Sequence, residues 1–167
     1  MVTATLISVE EYLSTSYDPD CDYVDGEVLE RNLGEKSHSK AQGRIFAYLF
    51  ARREQWSIHV FVEQRVQVKP TRFRIPDVCV YIGPEPVEEV FAEPPFLCIE
   101  ILSSEDRWSR MQQKINDYLA FGVRYIWVVD PWTRKVFANA NGGMREVAEL
   151  KTENPELVVP LTAIFEG

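Results

Sequence analysis

The sequence predicts an α+β protein, or an α/β protein with a mixed sheet, in which helices flank a central β-sheet. Two observations support this class: strand-like runs outnumber helical segments, and the two kinds of pattern are interspersed along the chain. The chain has 167 residues, of which 46% are hydrophobic and 26% charged, as is ordinary for a folded protein. This length, with no internal repeat or linker, predicts one domain over residues 1–167.

The N-terminal part predicts a short helix followed by a hairpin, both added to the central sheet. Ser8 and Glu11 have the spacing of a capping box, which predicts a helix with Val9, Tyr12 and Leu13 on one face. An Asp-Gly pair at residues 25–26 separates two apolar runs, and glycine accepts the positive φ of a type I′ turn. We therefore expect a hairpin over residues 23–29.

A long helix and several strands are predicted in the middle of the chain. Helical spacing of apolar residues predicts a helix over residues 37–54, with His38 on the same face as the apolar positions. β-Branched and apolar runs predict strands at residues 58–62, 66–68, 73–82 and 96–102, the third interrupted only by Pro76.

The C-terminal third predicts a helix, a buried strand and a second hairpin. Residues 107–121 are amphipathic, with Trp108 and Leu119 at the ends of the apolar stripe, and Gly122 is placed to end the helix. Residues 125–129 form a short apolar run typical of a buried strand. Residues 136–140 and 145–150 flank Asn-Gly-Gly, which predicts a hairpin.

Composition excludes several classes of protein. The net charge of −8 argues, at first, against a nucleic-acid binder, since such proteins usually present a basic surface to phosphate. Cys21, Cys79 and Cys98 are odd in number and widely spaced, which argues against disulfides or a zinc site. Residues 1–7 lack the basic start of a signal peptide and are too short for a membrane span, so a cytoplasmic protein without membrane contact is expected.

Two carboxylates stand inside strands that are otherwise apolar. Glu100 lies within the run at residues 96–102, where strand alternation puts it on one face with Cys98 and Leu102. Asp77 lies within the run at residues 75–81. Burying an ionised carboxylate without a partner is costly, so each must be paired, protonated or bound to a metal.

Two interpretations of this pair remain open. The carboxylates could form two unrelated ion pairs or lie at an exposed rim of the sheet. However, residues 75–106 contain eight acidic residues and no basic one, so no cation nearby in the sequence neutralises them. This favours a site for a hard divalent cation such as Mg²⁺ or Mn²⁺, with Asp77 and Glu100 as ligands.

Four further residues are candidates for the same chemistry. Lys114 falls on the flank of the helix that follows Glu100, from where its ammonium group can reach the sheet and orient a water or a phosphate. His38 is a candidate base or ligand, although a hydrogen-bonded core histidine is the alternative. Glu27 and Glu63 are additional candidate carboxylates, and Ser103 is predicted to cap the next helix rather than to act as a nucleophile.

Five segments, taken in order, are similar to those of a known nuclease family. They are YVDGE at residues 23–27, RIPD at 74–77, EILS at 100–103, Lys114 with Tyr118, and GVRYIWVVDP at 122–131. In this order they resemble the PD-(D/E)XK nuclease superfamily and, more closely, its Uma-two family of restriction endonucleases. The resemblance runs from about Ser8 to the end of the chain.

The resemblance implies a restriction-endonuclease-like core and metal-dependent hydrolysis of phosphodiester bonds by an activated water. Asp77 and Glu100 match the metal-binding carboxylates of the superfamily. The superfamily has a lysine two residues after the glutamate, and this chain has Leu102 there. Lys114, on the following helix, matches the lysine instead.

Three functions are therefore considered. The first is an Mg²⁺- or Mn²⁺-dependent endonuclease acting on double-stranded DNA through Asp77, Glu100 and Lys114, assisted by His38 or Glu27. The second is a catalytically degenerate binding or assembly module with the same fold, favoured by the missing lysine after Glu100 and by the acidic charge. The third is a metal hydrolase acting on a small phosphate ester or nucleotide.

Two further expectations concern association. Restriction-type nucleases often act as symmetric dimers, so a homodimer is expected, with Trp108, Trp127 and Trp132 available for an interface or for the core. The basic residues cluster away from the acidic stretch, at residues 52–53, 69–74 and 107–114. A phosphate substrate is thus not excluded, but weak binding without metal is expected.

Overall fold

The computed structural model describes residues 5–31 and 34–166, and it has the mixed α+β architecture that the sequence predicts. Residues 1–4, part of the segment 1–7 in which no signal peptide was expected, lie outside the described residues. The helices are α1 (Val9–Ser14), α2 (Lys36–Ala51), α3 (Arg53–Trp56), α4 (Trp108–Phe121) and α5 (Leu161–Phe165). The strands are β1 (Asp22–Val24), β2 (Glu27–Leu29), β3 (Ile58–Val62), β4 (Val66–Lys69), β5 (Arg72–Arg74), β6 (Val78–Ile82), β7 (Leu97–Ile101), β8 (Tyr125–Asp130), β9 (Lys135–Ala140), β10 (Gly143–Val147), β11 (Leu150–Lys151) and β12 (Val158–Val159).

A six-stranded mixed sheet forms the centre of the protein, in the order β10-β9-β8-β7-β6-β3. Strands β7 and β8 are parallel, and α4 makes the crossover between them, while the other neighbours in this sheet are antiparallel. Strand β7 lies inside the sheet and is buried along its whole length. The apolar run around Glu100 is therefore the central strand that the sequence predicts.

The two faces of this sheet carry separate hydrophobic cores. Alternate residues of β7, such as Leu97 and Ile99, pack with α2 and α5 on one face. The residues between them, such as Cys98, pack on the other face with α4 residues Ile115 and Tyr118. Because side chains alternate along a strand, Glu100 points to the face that α4 covers.

Pro76 divides the strand predicted at residues 73–82 into two strands that belong to different sheets. Strand β5 ends before it and joins a second, four-stranded sheet in the order β2-β1-β5-β4, whereas β6 follows it and joins the central sheet. Proline has no backbone N–H to donate to a sheet ladder, and it therefore suits a point where the chain leaves one sheet for another.

The local signals at the N-terminal end are confirmed in detail. The Ser8 hydroxyl accepts a hydrogen bond from the Glu11 amide at 3.1 Å and caps α1. Asp25 and Gly26 have φ values of 49° and 101°, as a type I′ turn between β1 and β2 requires. Tyr12 is fully buried, but Leu13 is exposed, so only part of the predicted apolar face of α1 is covered.

Two predicted helices differ from those observed. The helix expected over residues 37–54 is broken at Arg52, whose ψ of 7° ends α2 before the short α3 begins. In α4 the buried stripe is narrower than predicted: Trp108 and Leu119 lie at its edge and are 47% and 45% exposed. Gly122 ends α4 with a φ of 109°, as predicted.

The three cysteines are free thiols, and all three are buried. Cys79 and Cys98 are paired positions on β6 and β7 and serve as small core residues. In the part of the chain that the structure describes, no helix is both long and apolar enough to cross a lipid bilayer.

Candidate active site

The central sheet brings Asp77 and Glu100 together at one end of the antiparallel pair β6 and β7, where β6 begins and β7 ends. Val78 of β6 is paired with Ile99 of β7, so one further step in this register places Asp77 opposite Glu100. Both side chains are buried, at 3% and 2% exposure. The Ile101 amide donates a hydrogen bond to Asp77 Oδ2 at 2.7 Å, which fixes the aspartate against the strand that carries the glutamate.

Asp77 is held by two basic side chains that are distant in the sequence. Arg31 Nη2 donates to Asp77 Oδ1 at 2.9 Å, and His38 Nε2 lies 3.4 Å from the same oxygen. Burial raises the pKa of Asp77, but the hydrogen bond from His38 and the positive charges of His38, Lys114 and Arg31 outweigh it, and the net pKa is below its ordinary value. Asp77 is therefore a carboxylate at neutral pH.

His38 is correspondingly biased toward its protonated form. Burial lowers its pKa, but the hydrogen bond and the negative charge of Asp77 outweigh burial and raise the pKa above its ordinary value. The ring therefore faces Asp77 as a hydrogen-bond donor, at the N-terminal end of α2, rather than packing into the core beside Ile45.

Glu100 is bonded to two residues of α4. The Tyr118 hydroxyl donates to Oε1 at 2.6 Å, and the Lys114 ammonium lies 3.0 Å from both carboxylate oxygens. Burial nevertheless raises the pKa of Glu100 to about 7, with a further contribution from the nearby negative charge of Asp77. The two carboxylates thus have different proton affinities although they lie side by side.

Lys114 reaches the sheet from the flank of α4, as its helical position predicts. Its ammonium also donates to the Ile75 carbonyl at 3.1 Å and lies 3.8 Å from Asp22 Oδ2. Burial lowers its pKa, but the negative charges of Asp22, Glu100 and Asp77 outweigh burial and raise the pKa. The side chain two positions after Glu100, Leu102, is instead buried in the core beneath α4.

These groups line one cavity of about 90 Å³ that opens between α4, α2 and the end of β2. Both carboxylates and basic side chains line it. The site residues in its lining are Asp77, Glu100, Arg31, His38, Arg74, Arg110 and Lys114. A cavity of mixed charge with several fixed donors can bind a phosphate group and a cation side by side.

The remaining sequence candidates have different positions. Glu27 is exposed at the start of β2 and does not line the cavity. Glu63 is exposed at a positive φ of 50° and lies 3.9 Å from Arg31. Ser103 lines the cavity but does not cap α4, whose N-cap residue is Arg107; its amide donates to Asp106 at 2.6 Å instead.

A network of ion pairs behind the cavity was not visible in the sequence. Arg74 lies between Asp22 and the buried Asp117 of α4, at 3.3 Å and 2.8 Å. Arg72 bridges Asp117 and Asp25 at 2.7 Å each. These pairs connect the four-stranded sheet to α4 and to Lys114, and their members are separated by more than 40 residues in the chain, so no local motif marks them.

A hard divalent cation fits the donor set of Asp77 and Glu100. In the described residues no group of three or more histidine, cysteine, aspartate or glutamate side chains is arranged to hold a metal. Mg²⁺ commonly uses only one or two carboxylates, with waters and a substrate phosphate completing its shell. An ionised carboxylate offers about four lone-pair sites, and the contacts of Asp77 with Arg31, His38 and the Ile101 amide use three of them.

The fold is that of the restriction-endonuclease-like nucleases. A crystal structure described as "a putative nuclease belonging to DUF820" from Anabaena variabilis superposes on this chain with a TM-score of 0.79, covering 95% of this chain and 97% of the other. The two sequences are 21% identical, so this similarity establishes the fold alone. No curated protein matches the chain.

The family is established by sequence. The model of the Uma2 family, described as "Putative restriction endonuclease", matches residues 9–167, which is nearly the whole chain. The chain therefore belongs to the Uma2 family, the family that its ordered motifs resemble.

Proposed function

We propose that this protein is a divalent-metal-dependent endonuclease that hydrolyses phosphodiester bonds of DNA by an activated water. The observation that supports this most is the pair of buried carboxylates, Asp77 and Glu100, on one cavity with the Lys114 ammonium 3.0 Å from Glu100. The family and the related fold are both described as those of nucleases.

Each side chain is given one role in this proposal. Asp77 and Glu100 hold the Mg²⁺ or Mn²⁺ ion, which supplies a water of lowered pKa and neutralises charge on the phosphate. Lys114 positions the water and balances negative charge that develops on the phosphate. Arg31 and His38 fix Asp77 and donate hydrogen bonds to phosphate oxygens entering the cavity.

Cleavage of supercoiled plasmid with added Mg²⁺ or Mn²⁺ tests the reaction. Asp77→Asn and Glu100→Gln are expected to abolish cleavage, and Lys114→Ala to reduce it by about 100-fold, the usual effect of losing one electrostatic donor. Glu54→Gln is the matched control, because it removes one carboxylate charge from α3, where the side chain is 91% exposed. Cleavage that persists in both carboxylate variants would disprove the proposal.

Metal binding is tested separately by titration calorimetry with Mn²⁺. The wild-type protein is expected to bind the ion and both carboxylate variants to lose binding, while Glu54→Gln binds as the wild type does. Absence of Mn²⁺ and Mg²⁺ binding by the folded wild-type protein would contradict the assigned ligands.

A non-catalytic binding or assembly module is the second candidate, and one observation favours it. The carboxylates of Asp77 and Glu100 are already neutralised by Arg31, His38 and Lys114 from within the chain. This candidate predicts a folded protein that cleaves nothing with any divalent ion. Metal-dependent turnover that is lost in Lys114→Ala would exclude it.

The preferred substrate is proposed to be double-stranded DNA, and the active form a homodimer. Two active sites related by two-fold symmetry can each cut one strand of a duplex. Trp127 is buried in the core, whereas Trp108 and Trp132 remain exposed enough for an interface. Sedimentation velocity checks the dimer.

A cytoplasmic location is proposed as well. The three buried free thiols are consistent with the reducing conditions of that compartment.

A further inference from the structure

A second cavity, of about 160 Å³, lies on the flank of α2 next to the candidate active site. Three cationic side chains line it: Lys40, Arg44 and Arg134. Its apolar wall comes from α5, through Ile164 and Phe165. Among the residues that the structure describes, no aspartate or glutamate lines this cavity.

Two of the three cations of this cavity contact the surrounding structure. Arg44 Nη1 donates to the Ile164 carbonyl at 3.2 Å, which fixes the guanidinium against α5. The Arg134 guanidinium lies 5.7 Å from the centre of the Phe165 ring and 3.8 Å from Glu166. Arg134 and Glu166 are 58% and 64% exposed, so water screens this weak ion pair and the Arg134 guanidinium can exchange Glu166 for another anion.

The position of the cavity relates it to the active site. Ser37 of α2 lines this cavity and its neighbour His38 lines the candidate active site, so the two cavities lie beside the same first turn of α2. In a chain with a net charge of −8, Lys40 and Arg44 add positive charge at this cavity, beside the Arg134–Glu166 ion pair.

We propose that this cavity binds a backbone phosphate of the nucleic-acid substrate, outside the candidate active site. Lys40 and Arg134 contact the phosphate as exposed cations, and Arg44 supports the wall of the cavity. The assignment of a nucleic acid rests on the proposed function. The contact is made to the backbone and therefore adds affinity without sequence preference.

Equilibrium binding of a short fluorescein-labelled DNA duplex, followed by anisotropy over a range of KCl concentrations in EDTA, tests this proposal. Each contact to a phosphate contributes about 0.9 to the slope of log K against log salt. Lys40→Gln and Arg134→Gln are each expected to reduce the magnitude of the slope by about 0.9. Arg44 is kept, because its replacement would also remove its bond to α5.

Lys151→Gln is the matched control. It removes one charge from a lysine that is 46% exposed and paired only at 3.9 Å with Glu156. Lys151 lies away from the second cavity. It is two residues from Glu153, whose backbone contacts the Tyr125 hydroxyl at the start of β8. The second cavity includes Pro131, which follows the other end of that strand. The control is expected to keep the wild-type slope.

The outcomes separate this inference from the proposed function. Unchanged slopes in both variants, an equal loss in Lys151→Gln, or no duplex binding by the wild type at the lowest salt would each overturn the inference. Displacement of the duplex by inorganic phosphate with the same efficiency in Lys40→Gln as in the wild type would also overturn it. A loss of slope in a protein that cleaves no plasmid would support the binding site while contradicting the nuclease activity.

Discussion

At the scale of single residues, the buried Glu100 depends on donors that no neighbouring residue in the sequence supplies. Tyr118 and Lys114 reach it from α4 at 2.6 Å and 3.0 Å. A carboxylate with a pKa raised to about 7 is close to losing its charge at neutral pH, so each donor that favours the ionised form matters. The Tyr118 hydroxyl is the donor that can be removed with least change in shape.

Tyr118→Phe is therefore expected to lower the free energy of unfolding by about 1.5–3 kcal/mol, the usual effect of losing a hydrogen bond to a charged group. The matched control is Tyr81→Phe, which deletes a hydroxyl that donates to the Glu93 carbonyl at 2.7 Å. This control removes a neutral bond and should cost about 0.5–1.5 kcal/mol. Urea denaturation of both variants in EDTA measures the difference.

A loss in Tyr118→Phe no larger than that in Tyr81→Phe would show that the hydroxyl contributes little to Glu100. Plasmid cleavage gives a second readout that a purely structural role would not change. If Tyr118 positions Glu100, the Phe variant loses cleavage at concentrations and temperatures where it remains folded.

The positions of the two carboxylates and of Lys114 could be predicted from the sequence, whereas the position of Arg31 could not. A carboxylate inside an apolar strand conflicts with burial, and this conflict is visible in the sequence. Arg31 pairs with Asp77 across 46 residues and lies outside any helix or strand. No periodic pattern marks such a residue, so the absence of a basic residue from 75 to 106 could not reveal that a distant arginine neutralises Asp77.

At the scale of elements, most helices and strands could be predicted, but the division of strands between sheets could not. Pro76 is visible as an interruption at residue 76. That β5 joins a second sheet depends on pairing of Phe73 with Tyr23, 50 positions earlier in the chain. Local propensity carries no information about such pairing, which is set by the packing of the whole chain.

An ion pair connects the turn of the β1–β2 hairpin to the neighbouring strand β5. Asp25, in the turn, accepts hydrogen bonds from Arg72 at 2.7 Å and from the Thr71 hydroxyl at 2.7 Å. The hydrogen bonds from Arg72 and Thr71 lower the pKa of Asp25 from an ordinary value of 3.8 to about 2. The carboxylate is half exposed, so its contribution to stability is small.

Asp25→Asn is expected to lower the free energy of unfolding at pH 7 by less than about 1 kcal/mol. Asparagine tolerates the positive φ of the turn, so the change removes charge without removing the turn. A lowered pKa means that the unfolded chain binds more protons than the native state between about pH 2 and 4. The difference between wild type and variant should therefore be constant above pH 5 and shrink as the pH falls toward 2.

Urea denaturation at several pH values between 3 and 7 measures this difference. The result would be contradicted if the two proteins differed by the same amount at pH 3 as at pH 7. A difference that grew on acidification would show that Asp25 is less acidic in the native state than in the unfolded chain.

At the scale of the whole molecule, the local charge of each cavity differs from the net charge of −8. The acidic residues 75–106 supply the two carboxylates of the candidate active site, where Arg31, His38 and Lys114 balance them. Among the residues that the structure describes, the charged side chains lining the second cavity are Lys40, Arg44 and Arg134. In the proposed function, a polyanion would meet local positive charge on an acidic protein, with only weak long-range attraction in the absence of a divalent ion.

The two larger sheets are joined through α4. The aromatic core of the four-stranded sheet is small and consists of Tyr12, Tyr23 and Phe73. Arg72 and Arg74 connect that sheet to the buried Asp117 at 2.7 Å and 2.8 Å. An ion pair buried in this way is costly to separate, because opening one sheet alone would leave a charge without its partner.

We therefore propose that the chain unfolds as one cooperative domain. Hydrogen exchange by mass spectrometry, in EDTA and with increasing urea, measures opening of each strand. Amides of β1 and β5 are expected to exchange with the same free energy of opening as those of β7, because the four-stranded sheet lacks a core large enough to remain folded separately. The edge strand β10 serves as the control and should exchange at a lower free energy.

A free energy of opening for β1 and β5 that is several kcal/mol below that of β7 would contradict a single cooperative unit. It would mean that the second sheet opens while the central sheet stays folded. Because Asp22 and Arg74 line the candidate active-site cavity from the four-stranded sheet, such opening would also release Lys114 from one of its carboxylate neighbours. Equal free energies of opening for β1, β5 and β7 would instead show that the contacts around Lys114 are lost only when the whole domain unfolds.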